Sequence, residues 1–420
     1  MDFALQPQTT AGVHFVALAE QHAADFTTRA DQHDRDGSFP FENIDAMQRS
    51  GVMAGCVPVE LGGLGVESLH DAVLGINRLG RGDGSTAIAT AMHLFSSWML
   101  TRAWRAATAA GETPQARRRR RSGPPRCSVR WARARSCGVL PNPSQGQTCS
   151  ARWWRQPRWR TAGISMGEKS LGPCRPPPRR WLSPAVSGIR RAASVGPSPV
   201  CRWEVRAWRS RITGTRLACG RPGATILCFG TALSRRRALL EDGPWGEWTE
   251  RILSGQMAFN MGLVGAFLGI AEAARDLIVE AVTTRRRGSS GRLPAERASI
   301  QHLIAEIEID LAAARAMLAR TATTADAFFS HHPAGRVPLV ELHALMKDFQ
   351  CTKWFVNHKA IEIVDRALTA SGGAGYLSTN PLARLYRDVR AGPFMQLFSP
   401  NEAFEYIGKV TLGIDPYLVH

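Results

Sequence analysis

The chain has 420 residues, enough for two or three domains around a sizeable core. Its hydrophobic content of 44% is that of an ordinary globular protein, and its formal charge of +18 suggests a polyanion-binding protein. The charge is concentrated, however. Between Gln115 and Leu239 stand 27 Arg and one Lys against two acids, Glu168 and Glu204, a net +26, while the rest of the chain carries −8. The basic character belongs to one segment and not to the fold as a whole.

In chain order, the opening MDFALQPQTTAG lacks the charged n-region and apolar core of a secretory leader. No apolar run reaches the ~20 residues of a membrane span. A soluble, cytoplasmic protein without a membrane partner is expected. Phe41-Glu42-Asn43-Ile44 opens a short helix that ends at Ser50-Gly51. VPVELGGLGVES, 57–68, is a glycine-rich loop. The stretches Asp71 to Arg78 and Thr86 to Trp104 predict two further helices.

Beyond the basic segment the period is helical again. From Met257 to Val282, Leu263, Phe267, Ile270, Ala274, Leu277, Ile278 and Ala281 recur on one face. Gly262, Gly265 and Gly269 in the same helix allow a neighbour to approach closely. A second helix spans Ile300 to Thr321, with Leu303, Ile304, Ile307, Leu311, Ala314 and Leu318 as its stripe and Glu306, Glu308 and Arg315 facing away. A third runs from Leu339 to Leu368 and stops at ASGGAGYLSTNP; a fourth begins near Pro381. Four long amphipathic helices with short connections predict an antiparallel bundle.

The basic segment follows no such period. It opens with QARRRRRSGPPRCSVRWARARSCG, 115–138, and holds seven of the nine Cys, seven of the twelve Trp and thirteen of the 25 Pro. Without a C-x-x-C or paired His it offers no metal site, and without a leader no disulfide framework is expected. Arg and Trp together could bind nucleic acid, yet no nucleic-acid-binding motif is present. Disorder fits the charge and the Pro but not seven Trp.

Three stretches resemble the acyl-CoA dehydrogenase family. PVELGGLGVES, 58–68, is similar to its P-E-x-x-G-G-x-G loop. DGSTAIATAMHL, 83–94, is similar to the helix that follows, and SGGAGYLSTNPLARLYRDVR, 371–390, to its G-G-x-G-Y…P…R…R-D-x-R block. The resemblance covers roughly 1–110 and 240–420. It implies a mainly α protein with a helical domain at 1–112 and a four-helix bundle at 241–420. The family's β-domain position, 113–240, is taken by the aberrant Arg/Pro/Trp-rich segment.

It also implies FAD and an acyl-CoA or related thioester as partners, in a homo- or hetero-oligomer with family members. Flavin would take a hydride from the Cα–Cβ bond, and a carboxylate the α-proton. Arg287 and Gln301 correspond to residues near the dinucleotide phosphates, and Gly372 and Gly373 to backbone that must approach the cofactor. A helix C-cap accounts equally well for the two glycines. Thr369 replaces the family's usual Gln, and Ser290 and Ala298 depart from its R-x-x-F…Q-x-x-Q pattern. Ser399 and Phe259 occupy the two positions where members keep the catalytic Glu, so the catalytic residue is unknown. Glu402 and Glu405 lie nearby and read as exposed acids at a helix N-terminus. The Ser at 399 suits an oxygen-activating flavin monooxygenase relative, or a base-less partner subunit.

A shifted reading frame accounts for the middle. If the intended frame starts one base earlier, LPNPSQGQTCSARWWRQPRW, 140–159, permits LAEPEPGADLLGAVVATATV, which is similar to the family's T-E-P-x-x-G-(S/A)-D loop and following strand. At the same offset SMGEKSLGPCRPPP, 165–178, permits LNGRKVFGTMSPAA, and ITGTRLACG, 212–220, permits DNWDALGMR, both like family segments and in the family's order. The frame returns near Ala238. The chain as printed is then expected to be inactive.

Overall fold

The computed structural model describes residues 3–111, 208–212, 225–229, 248–284, 291–395 and 398–416. The chain divides into two units. The second, Gly138–Arg211 with Ile226–Thr249, lies almost entirely outside the described residues, as do 140–159, 165–178 and, but for Ile212, 212–220. The described strands, β1 (Trp208–Ile212) and β2 (Thr225–Phe229), pair in a two-stranded sheet. All else that follows concerns the helices of the first unit.

Thr9 caps α1 (Thr10–Asp36) by accepting from Gly12 N at 2.9 Å, and Gly37, at φ 61, ends it. This helix is not singled out in the sequence reading. Its buried face, Phe15, Val16, Ala19, Ala23, Phe26 and Ala30, is half alanine and so has low contrast. α2 (Phe41–Ser50) stops at Gly51 (φ 86), as expected. α3 (Leu69–Gly82) and α4 (Gly84–Ala109) abut, and Asp83 serves as the C-cap of one and the N-cap of the other.

After the middle come α5 (Glu250–Thr284), α6 (Ala298–His331) and α7 (Leu339–Ser371). α6 runs ten residues past its expected end, because Ala322, Ala325 and Phe329 continue the buried stripe. Thr321 does not break it: its hydroxyl bonds that of Thr352 on α7 at 2.7 Å. The expected fourth long helix is two short ones, α8 (Pro381–Val389) and α9 (Pro400–Thr411). Pro393 and Pro400 lack the N–H a continuous helix needs.

α5 is the core, packed by α3, α4, α6, α7 and α8. Its glycines admit α3 to backbone distance. A Cβ on Gly265 would lie 2.8 Å from the Val73 carbonyl oxygen, and one on Gly269 2.1 Å from that of Asn77. α3 reciprocates at Gly80, where a Cβ would meet the Ala266 oxygen at 2.6 Å. By length and hydropathy α5 could cross a membrane, but 89% of its apolar stretch is buried by the other helices.

Buried charge ties the layers. Glu272 of α5 accepts from Arg315 Nε of α6 at 2.6 Å and faces Arg78 of α3 at 3.7 Å. Arg315 therefore points inward, against expectation. Glu308 and Glu306, also expected to face away, reach Arg275 of α5 and Arg366 of α7. Asp326 of α6 caps another helix, accepting from Ser68 Oγ at 2.7 Å, Leu69 N at 2.5 Å and His70 N at 3.0 Å at the start of α3. Replacing Asp326 by Ala is expected to lower unfolding free energy by ~1–2 kcal/mol, the usual worth of a cap, in a urea titration.

Candidate functional site

The candidate residues lie on three pieces of the bundle. The first is the end of α7. Arg366 of α7 pairs with Glu306 and Asp310 of α6 at 2.7 and 2.8 Å, so the antiparallel helices bring Gln301 and Gly372 to one end. Gly372 is the C-cap of α7 at φ 62, a conformation that glycine adopts at little cost because it has no Cβ. The short helical turn Gly372–Tyr376 follows. A Cβ on Gly373 would meet nothing within 4 Å, so backbone there faces open space. Tyr376 is 94% exposed. Gln301 is exposed and donates Nε2 to the Ala295 carbonyl at 3.0 Å. The Thr369 hydroxyl turns back to Asp365 O at 3.0 Å. Arg287 lies outside the described residues.

The second piece is the start of α9. Ser399 is its N-cap, and Glu402 closes a capping box by accepting from Ser399 N at 2.7 Å. That backbone bond holds the Glu402 carboxyl below its usual range. Glu402 and Glu405 are both exposed, as the sequence led one to expect. The other base position, Phe259 of α5, is half-buried, its ring 3.7 Å from where a Cβ on Gly255 would stand. Neither position offers a carboxylate.

Beside Ser399 a shallow cleft opens between Gln350, Lys353 and Asn357 of α7 and Pro393, Phe398 and Pro400. These three polar residues were missed in the sequence. Their signal is a polar row at i, i+3 and i+7 inside a helix whose other buried positions are mostly apolar. Lys353 is only 4% exposed; its Nζ donates to the Phe398 carbonyl at 2.8 Å, and burial pushes it down to about 8 against the pull of Glu402.

The third piece is the R-D-x-R block at the end of α8. Arg384 and Arg387 reach Asp31 and Asp34 of α1 at 2.8 and 2.9 Å. Asp388 is buried against the start of α4, with no hydrogen bond to either oxygen among the described residues and Arg384 3.7 Å away. Burial pushes its carboxyl up to about 7, outweighing Arg384, with Asp83 and Asp34 adding to the rise. A carboxyl raised in the fold stabilises it below pH ~4 and loses that contribution as pH rises through about 7. Asp388→Asn is therefore expected to flatten the fall in melting temperature between pH 4 and 7, read by calorimetry.

Among the described residues no group of three His, Cys, Asp or Glu could hold a metal ion. The backbone at Gly372 and Gly373 is exposed, with room for a group to lie against it.

Comparison with known proteins bears on the family. The family model for the acyl-CoA dehydrogenase N-terminal domain matches residues 14–108, and that for the C-terminal domain matches 261–400. The amino sugar nitrososynthase DnmZ of Streptomyces peucetius is 29% identical, with 97% of this chain and 95% of its own covered. L-Evernosamine nitrososynthase of a Micromonospora species is 30% identical over 97% of this chain and 92% of its own. The crystal structure of KijD3 with FMN and dTDP-3-amino-2,3,6-trideoxy-4-keto-3-methyl-D-glucose superposes with a TM-score of 0.70 at 25% identity, covering 97% and 95%. Likeness sustained along nearly the whole length of both proteins places this chain in the acyl-CoA dehydrogenase family, whose members are flavoproteins.

Proposed function

We propose that the intact protein is a flavin-dependent monooxygenase that oxidises the amino group of a nucleotide-linked amino sugar. The observation that carries this reading is Ser399. A hydroxyl there cannot take an α-proton near neutral pH, and Glu402, the nearest acid, is spent on the cap. Oxidation at nitrogen needs no carbon-bound proton removed, since the neutral amine brings its own lone pair. A reduced flavin supplies two electrons to dioxygen; amine, dioxygen, two electrons and two protons give hydroxylamine and water. The chain's part is to hold the cofactor's phosphate end at Gly372, Gly373, Gln301 and Arg287 and to present an uncharged wall at Ser399 and Phe259. The relatives named as nitrososynthases and the KijD3 complex, with FMN rather than the FAD first expected, support the reading.

We propose equally that 115–238 is out of frame in this chain. The relatives match it in length to within a few per cent, as a pair of compensating shifts would leave it and an insertion would not. The genetic code adds two fixed points. In Trp153-Trp154-Arg155 every Trp base is determined, so the shifted reading must give Val and then Ala or Glu, as a family strand accepts.

The test is to resequence the coding DNA, restore the frame and purify the protein. It should be yellow, and with a flavin reductase and a dTDP-amino sugar it should consume dioxygen and release an oxidised amine. Anaerobic bleaching of its flavin by an acyl-CoA, with no amine oxidation, would sink the reading in favour of a dehydrogenase. An independent read confirming every base would remove the frame proposal while leaving the family.

A further inference from the structure

We propose that Lys353 and Asn357 are positioning residues: from one face of α7 they hold the end of α8 and the beginning of α9, and so fix the Ser399 wall of the site. Both stand on buried positions one helical turn apart. Each donates to a backbone carbonyl on the far side, Lys353 Nζ to Phe398 at 2.8 Å and Asn357 Nδ2 to Gly392 at 3.1 Å. The two carbonyls bracket the connection from α8 to α9. Gly392 is itself seated closely, since a Cβ there would lie 3.1 Å from the Asn357 side chain and 3.3 Å from Phe267 of α5. Phe398 is the residue before the Ser399 cap, so a shift of its carbonyl moves the first turn of α9.

A buried ammonium is a costly way to hold a carbonyl, since a neutral amide at Asn357 does the same task. The cost makes the Lys353 half sensitive to pH. Glu402, from α9, is the charge that acts on it, and His358 of α7 borders the same cleft. Burial lowers Lys353 from 10.5 to about 8. Opening the contact returns the amine to water and raises its hold on a proton. Between about 8 and 10.5 the opened form binds more protons, so raising the pH through that window favours the closed contact. The Asn357 half carries no charge and gives no such slope. The role concerns the wall at Ser399 and stands whichever oxidation the flavin performs.

Amide hydrogen exchange of the full chain, corrected for intrinsic rate, tests this at Ala403 to Tyr406 in the first turns of α9. Protection there should rise from pH 8 to 9.5, by at most about tenfold per pH unit. Lys353→Met should abolish the pH dependence. Asn357→Leu should lower protection severalfold at every pH and keep the dependence. Should Lys353→Met fail to fold, Lys353→Arg keeps a donor and a fixed charge, and its protection should be low and flat. The proposal is overturned if either Lys353 variant retains the parent's pH dependence, or if Asn357→Leu leaves protection in α9 unchanged.

Discussion

Replacing Glu272 by Ala is expected to cost roughly 3–5 kcal/mol of unfolding free energy, several times the ~1 kcal/mol typical of a point mutation. Glu272 is 1% exposed and stands between two guanidinium groups. Arg78 keeps other partners when it goes: Glu20, Asn77 Oδ1 and the Leu5 carbonyl, all at 2.8–2.9 Å. Arg315 is bonded through its Nε to Glu272 at 2.6 Å and sits largely inside the α5–α6 seam. Truncation therefore leaves a desolvated charge with its acceptor removed, and the expense lies in that stranded partner more than in the lost bond. The double variant Glu272→Leu with Arg315→Met separates the two effects. It removes both charges, keeps apolar volume, and should recover most of the loss. Urea titrations of the parent, both single variants and the double variant give the coupling directly. A loss below about 1 kcal/mol in Glu272→Ala would show that water reaches Arg315 and that the pair does not hold α5 to α6.

The same pair shows where sequence reading succeeds and where it stops. A helical stripe of large aliphatic side chains is legible because burial alone dictates it. Ile307, Leu311, Ala314 and Leu318 of α6 are buried as expected, and so are Leu263, Phe267, Ile270 and Ala274 of α5. Polar residues carry no such signature. Arg315 looks like the solvent face of α6 until Glu272 is known to lie opposite, and that contact spans 43 residues of sequence. Lys353 and Asn357 were hidden for the same reason: the carbonyls that justify their burial belong to backbone 35 and 45 residues away. α1 was missed because alanines at Ala19, Ala23 and Ala30 carry little hydropathy, though each packs fully. At the candidate site the glycine pair and the absence of a base at 399 could be read directly. The capping role of Glu402 had a signal as well, the Ser399-x-x-Glu402 spacing of a capping box.

Gly269→Val should also be severely damaging to the helical unit, with a loss of roughly 3 kcal/mol or more and a correspondingly early melt. The reason is what the new side chain would strike. At Gly262 a Cβ would meet the Phe95 ring at 1.9 Å, and a ring can turn within its rotamers. At Gly269 the obstacles are the Asn77 carbonyl oxygen at 2.1 Å and the Arg81 amide nitrogen at 3.2 Å, both in the backbone of α3. A helix backbone cannot yield locally without breaking its own bonds, so α3 and α5 must separate. Separation also pulls Gly80 from Ala266 and Asn77 Nδ2 from the Gly265 carbonyl, a bond of 3.3 Å. α3 precedes the basic segment and α5 follows it, so this seam joins the two halves of the chain. Gly408→Ala is the control: a Cβ there meets nothing within 4 Å, and it should add up to about 1 kcal/mol through helix propensity alone. If Gly269→Val melts with the parent while Gly408→Ala gains as expected, the seam is looser than its backbone distances imply, and the halves are held together by side chains such as Arg78 and Glu272 instead.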